Sequence, residues 1–269
     1  MLSAESTLQH KSLLRILIFF LIFSMVKPIL AQENSPYSRY GLGDLVSDRH
    51  IAARGMGGVA ASWGDYQTIN LTNPAALSYL NNTIFDLGTE WDIHVLKSNI
   101  STDKYKSNNV VVSYINIGLP LSGKRMLKKK NAMGLSFGLR PVSRIGYKIQ
   151  QDGRISGIDS ARTIFKGTGG LNQAFLGLGW KWGRFRAGFV AGYNFGNKNY
   201  STRLSLINDS VYYYKALSEN LTTFSGLSAT GGLTYEAPVG KGSLRVGAYG
   251  TYFRDMKASR SILNETYKY

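Results

Sequence analysis

The chain of 269 residues contains no cysteine. That absence excludes disulfides, thiolate metal sites and cysteine nucleophiles, and leaves hydrogen bonding and packing to hold the fold. Histidine is nearly as scarce: His10, His50 and His94 are all there is. They stand in separate contexts without metal-ligand spacing, so no metal site is expected. Acidic residues are also few, with 16 Asp and Glu against 32 Lys and Arg and a net charge of +16. Such an excess suits nucleic acid, anionic surfaces or anionic solutes. Here the basic residues are scattered among strand-like stretches and do not cluster on a recognisable module, which argues against nucleic acid as a partner.

Long apolar runs are missing too. The run at 16–26 is broken by Lys27 and Pro28 at about half the length of a membrane-spanning helix. Lys11 and Arg15 precede it and Ala31 follows, which reads as a secretory signal peptide over 1–31, cleaved after Ala31. No cysteine follows the cut, so a lipoprotein anchor is excluded.

Residues 32–81 have a character of their own. The segment neither alternates like a strand nor carries a helical stripe, and it contains RGMGG, with Gly55, Gly57 and Gly58 placed for tight turns. These glycines lack the Lys-Ser/Thr of a phosphate loop. Asn73 followed by Pro74 and Ala75 is a helix-start signal: the Asn side chain caps the first turn and Pro lacks only an N–H that would have been orphaned. A short helix over 74–79 is expected.

From residue 83 onward the pattern switches to period two. In 83–93, Phe85, Leu87, Thr89, Trp91 and Ile93 oppose Asp86, Gly88, Glu90 and Asp92. The stretches 132–141, 171–182, 185–195, 222–236 and 244–253 repeat the scheme, while 109–119 is apolar on both faces and its orientation stays open. The seven strands, most about ten residues long, have one apolar face and one small, polar, glycine-rich face. Aromatics recur near their ends, at Trp91, Trp180, Trp182, Tyr193, Phe195, Tyr235 and Tyr252, and long gaps alternate with short ones. Together these features favour a membrane barrel over a soluble sandwich. The fold class read from this is all-β: a transmembrane antiparallel β-barrel with an N-terminal plug, or hatch, at 32–81 and strands at 82–269. The glycines of the polar face would let the plug backbone lie against the wall. Seven strands do not close a barrel of this kind, and SILNETYKY at the end alternates too weakly to be assigned as a further strand, so the barrel is expected to be incomplete. The Asp152-Gly153 pair reads as a hairpin turn in an extended external ribbon.

The stretch RGMGG, the run from Ala60 to Trp63 and Asn73-Pro74-Ala75-Ala76-Leu77 resemble the FadL and TodX type of outer-membrane transporter, whose hatch carries an NPA signature. The segment GTGGLNQAFLGLG at 167–179 is similar to strand segments of those barrels. The resemblance implies about fourteen strands, of which this chain holds seven to eight. It also implies passive uptake of hydrophobic solutes such as long-chain fatty acids, gated by the hatch. The expected partners are then outer-membrane lipid and a hydrophobic small molecule. A second resemblance, to the shuttle and accessory barrels of type IX secretion, implies secretion-machinery proteins instead.

Asn73, Pro74, Ala75, Gly55, Gly57 and Gly58 are the candidate hatch or gate residues, set against the plainer reading of helix capping. Asp86, Glu90, Asp92, Arg140, Lys181, Arg186 and Arg245 fall on predicted lumen faces, where charges tune a pore, latch a hatch or pair with one another. Glu90 and Asp92 lie about 7 Å apart along one strand with no oriented partner for acid–base work, and His94 has no serine partner evident for a hydrolase. No catalytic residue, no enzymatic activity and no cofactor is expected. The run KRMLKKK at 124–130 reads as a solvated turn, with anionic headgroups as the alternative contact.

Overall fold

A computed structural model describes residues 35–97, 104–123, 126, 128, 130–155, 158–207 and 213–268. The signal peptide expected at 1–31 lies outside the described residues. The strands are β1 (Asp44–Leu45), β2 (Ile84–Lys97), β3 (Lys104–Pro120), β4 (Ala132–Ile155), β5 (Ile158–Trp182), β6 (Phe185–Ile207), β7 (Lys215–Val239), β8 (Gly242–Phe253) and β9 (Lys257–Tyr267). The helical elements are the 3-10 turn Pro36–Arg39, the short helix α1 (Ile51–Gly55) and the 3-10 helix Pro74–Tyr79, and Met126 and Lys128 are helical as well.

Strands β2 to β8 follow one another in an antiparallel meander that curls into a half-barrel of seven strands. β9 pairs with β7 beyond the point where β8 stops: Phe253 faces Ser228, and four residues later Lys257 faces Ser225. β8 and β9 are therefore one interrupted strand along the edge of β7. The carboxy-terminal segment is a strand after all, but it adds no eighth position to the sheet.

The expected strand positions hold, but the expected lengths do not. β4 to β7 run for 23 to 25 residues, about 80 Å of extended chain where ten-residue strands were expected. The third gap is the ribbon expected there. Lys148 faces Lys166, and the ladder continues to Ile155 and Ile158. Asp152 and Gly153 lie within that ladder, facing Arg162 and Ala161, and so are not the hairpin turn that their pairing suggested.

The apolar faces lie as the alternation predicts, on the convex side. Phe85, Trp91, Trp180, Trp182, Phe185, Leu233, Val246 and Tyr252 are all more than half exposed. β3 resolves its ambiguous face through a β-bulge. Gly88 faces Tyr114 while Thr89 faces Val112, so Ser113 is the extra residue. Ser113 and Tyr114 are both buried, and the outward set changes from Val110 and Val112 to Ile115.

Residues 35–80 pack on the concave side. The core lies between this segment and the sheet and is formed by Ile69, Leu71, Leu77 and Leu80 with Phe175 of β5 and Val190 of β6. The β3–β4 ladder covers only Ile115–Pro120 and Gly134–Leu139. Above it β1 takes the vacated edge of β4, with Asp44 facing Arg144 and Leu45 facing Ser143.

Candidate functional site

The site begins with the 3-10 helix Pro74–Tyr79. The Asn73 side-chain oxygen accepts the Ala75 N–H at 3.1 Å, which is the cap read from the sequence. The same side chain is fully buried, and its amide nitrogen lies within reach of Ala61 O, Leu233 O at 3.1 Å, Thr234 Oγ1 at 3.2 Å and Ala248 O at 3.5 Å. An NH2 group has two protons to share among these acceptors, so Asn73 fastens the helix start to both β7 and β8. Asn70 prepares the entry by donating to Ala60 O and Trp63 O and accepting from Thr72 N.

The helix can approach this closely because of a row of glycines. Gly134 of β4 faces Gly179 of β5, Gly179 faces Gly188 of β6, and Gly188 faces Gly232 of β7. A Cβ at Gly188 would overlap the Pro74 carbonyl carbon, one at Gly134 the Leu77 oxygen, and one at Gly232 the Asn73 side chain. The four residues form a trough across four strands that the helix backbone and the Asn73 side chain fill.

Charged residues ring this seat. Arg186, 5% exposed, donates to Ser78 Oγ at 3.0 Å and reaches Glu236 Oε2 at 3.4 Å. Arg245 donates to Glu236 Oε1 and to Gly64 O, both at 3.1 Å. The Tyr79 hydroxyl donates to Glu236 Oε2 at 3.2 Å, and its ring lies under both guanidinium groups, with Cζ 3.4 Å from the centroid for Arg186 and 4.8 Å for Arg245. Burial raises the Tyr79 hydroxyl pKa above its ordinary value, against the two arginines.

At the other side of the segment His50 caps α1 by accepting the Ala52 N–H at Nδ1, and its Nε2 meets Asp86 Oδ2 at 2.8 Å. With Nδ1 accepting, Nε2 carries the proton. Arg54 of α1 pairs with Glu90, which also accepts from Ser113. Arg140 donates to Gln173 Oε1 at 2.8 Å and to Asp48 O at 3.3 Å. Of the seven charges expected on the lumen face, Asp86, Glu90, Arg140, Arg186 and Arg245 thus bind the amino-terminal segment. Asp92 and Lys181 have no ion-pair partner among the described residues. Gly55, Gly57 and Gly58 end α1. Gly57 and Gly58 have φ of 74° and 82°, and the Gly58 N–H closes on Ala53 O at 2.7 Å. Sequence reasoning missed His50 and Glu236 as partners, because contacts 36 and 157 residues apart, with Asp86 and Tyr79, leave no mark in a local pattern.

Depressions of about 520 Å3, walled by Leu176, Tyr193, Leu227 and Tyr252, and about 390 Å3, walled by Trp180, Trp182, Phe185 and Leu233 with Arg186 at its edge, are lined mostly by apolar side chains of the convex face.

The fold and seat define a β-half-barrel of outer-membrane type: exposed apolar residues outside, and an amino-terminal segment bound to a polar, glycine-rich inside. The family model BamG matches residues 13–265, and the chain belongs to the BamG family. No curated protein and no solved structure matches the chain. The family name is tied to the BAM outer-membrane assembly system, and it gives the chain an outer-membrane-associated location.

Membership in BamG corrects the sequence reading on several points. The FadL and TodX resemblance falls. With it fall the channel for long-chain fatty acids or other hydrophobic solutes, the porin description, the secretion-accessory alternative, and the lipid and solute partners that the resemblance implied. The physical reason lies in what carried the resemblance. Asn-Pro-Ala and RGMGG cap one helix and end another on a glycine-lined wall, and any chain that seats a capped turn in such a trough needs the same residue types.

Proposed function

We propose that the protein works in the assembly of outer-membrane proteins, as a membrane-embedded component without enzymatic activity that associates with proteins of the BAM complex. The observation that carries this reading is the BamG match over 13–265. The convex face supports the membrane placement. Trp180, Trp182, Phe185 and Tyr235 form one exposed aromatic belt, and Tyr193, Phe195 and Tyr252 form a second. The interval from Phe185 to Phe195 matches the roughly 9–11 residues a tilted strand needs to cross hydrocarbon. Beyond the second belt the far halves of β4 to β7, with β9, project from the membrane as a sheet.

In this reading the seven strands are one wall of a closed barrel, residues 35–80 are its plug, and the protein arrives by export on a cleaved signal peptide. Asn73, Pro74, Ala75, Gly57 and Gly58 shape the plug, and Asp86, Glu90, Arg140, Arg186 and Arg245 latch it. Buried Asn73 and the overlap awaiting any Cβ in the glycine row make the plug a fixed brace.

Depletion of the protein in its own cell tests the role. Outer-membrane barrels should then accumulate in the heat-unmodifiable, unfolded form, and the detergent-solubilised protein should co-purify with BAM proteins in a fixed ratio. Unchanged barrel assembly together with no association overturns the proposal.

A further inference from the structure

The end of the half-barrel that carries the turns at Gly183 and Gly240 gathers positive charge on its concave side. On its concave side Lys181 of β5 and Arg186 of β6 are direct lateral partners, and Arg245 reaches in from β8. Lys130 lies two residues before Ala132, the lateral partner of Lys181, and the Lys181 ammonium feels Arg186, Glu236 and then Lys130. Against these four cations, Glu236 is the carboxylate that the described residues supply in ion pairs. It is already divided among Arg186 at 3.4 Å, Arg245 at 3.1 Å and the Tyr79 hydroxyl at 3.2 Å. Arg186 Nε is buried without an acceptor, and Lys130 and Lys181 have no ion-pair partner among the described residues. A concave, low-dielectric mouth focuses such an excess outward.

The face on which these groups lie decides what kind of anion they await. Arg186 and Arg245 contact Ser78, Gly64 O and Glu236 on the concave side, and Lys181 shares the face of Arg186. Their sequence neighbours Trp180, Trp182 and Phe185 are exposed on the convex side. Headgroups surround the convex face and do not line a concave mouth, whereas a chain segment can enter it.

We propose that this mouth is a docking site for an acidic segment of a partner protein. Its carboxylates pair with Lys130, Lys181 and the exposed part of Arg245, while buried Arg186 adds its field. The inference stands on the geometry of the mouth and does not depend on the assembly role.

The test uses the full chain folded in detergent micelles. Fluorescence anisotropy follows a labelled ten-residue glutamate peptide and its glutamine counterpart, and co-sedimentation follows vesicles of phosphatidylglycerol and phosphatidylcholine. Lys130→Glu with Lys181→Glu breaks no ion pair among the described residues, and heat-modifiability on gels checks that the variant is folded. Lys166→Glu with Lys257→Glu makes the same charge change at the far end. The expected result is binding of the glutamate peptide alone, weakened at least tenfold by the mouth pair and unaffected by the far pair. Equal weakening by both pairs, equal binding of the glutamine peptide, no peptide binding, or an effect of the mouth pair on vesicles only overturns the proposal.

Discussion

Asn73 and Gly232 occupy one place in the structure: a Cβ on Gly232 would overlap the Asn73 side-chain oxygen that caps the 3-10 helix. Gly232→Ala must therefore push the helix start out of its trough. Overpacking of this kind costs about 1–3 kcal/mol. The urea midpoint of the folded protein should fall accordingly, whereas Gly231→Ala, with open space at its Cβ, should leave it unchanged. Equal effects at the two positions would remove the trough from the account.

Asn73→Ala removes the cap and the amide that reaches Leu233 O and Thr234 Oγ1 in one change. The cap is worth about 1 kcal/mol, and carbonyls left without a donor in the interior cost about 1–3 kcal/mol more. Limited proteolysis should cut within 35–80 sooner in this variant than in the parent. Asn73→Asp keeps the acceptor but not the donor, and should show an intermediate or greater loss. Parental resistance in both variants would mean that Asn73 does not fasten the segment.

Leu77 is fully buried among Ile69, Leu71, Leu80, Phe175 and Val190. Leu77→Ala leaves a cavity there and should cost about 2–5 kcal/mol, read as a shift in the denaturant midpoint. A loss below that range would show that the segment collapses onto the space.

At the ribbon tip, hydrogen bonds from Arg162 and then Gln150 hold the Asp152 carboxyl below the usual carboxylate range. A depressed folded pKa gives order that is present above the unfolded pKa and is lost as pH falls through the folded one. Protection of the tip amides from hydrogen exchange, corrected for intrinsic rates, should be level from pH 8 to pH 5 and decline below about pH 4. In Arg162→Gln the decline should move to higher pH. An unshifted profile would detach the tip from this pair.

The sequence made some of this legible because some determinants are local. The Asn73-Pro74 pair announces its turn, since a cap and a missing N–H act within three residues, and the alternating faces of β5 and β6 show in any ten-residue window. The outward face of β3 did not show itself, because the bulge at Ser113 reverses the pattern midway and averages both faces to apolar. β4 hid its second half in the same way. The register shifts between Pro141 and Ser143, and the buried set passes from Ser136 to Ser143, Ile145 and Tyr147. His50 with Asp86, and Tyr79 with Glu236, meet only once the sheet has curled. The family was misread because its most conspicuous motif reports how a turn is seated, which many barrels share.

The trough for residues 73–80 is assembled from β4, β5, β6 and β7, so Asn73 must find Leu233, 160 residues further along the chain. What leaves the ribosome early therefore docks late. Contacts of such separation form slowly, because the loop between them must be closed before they contribute. The expectation is that the segment seats only after the wall of β4 to β7 has formed. A probe of protection at residues 35–80 should report completion of the sheet more sharply than any probe placed on the strands.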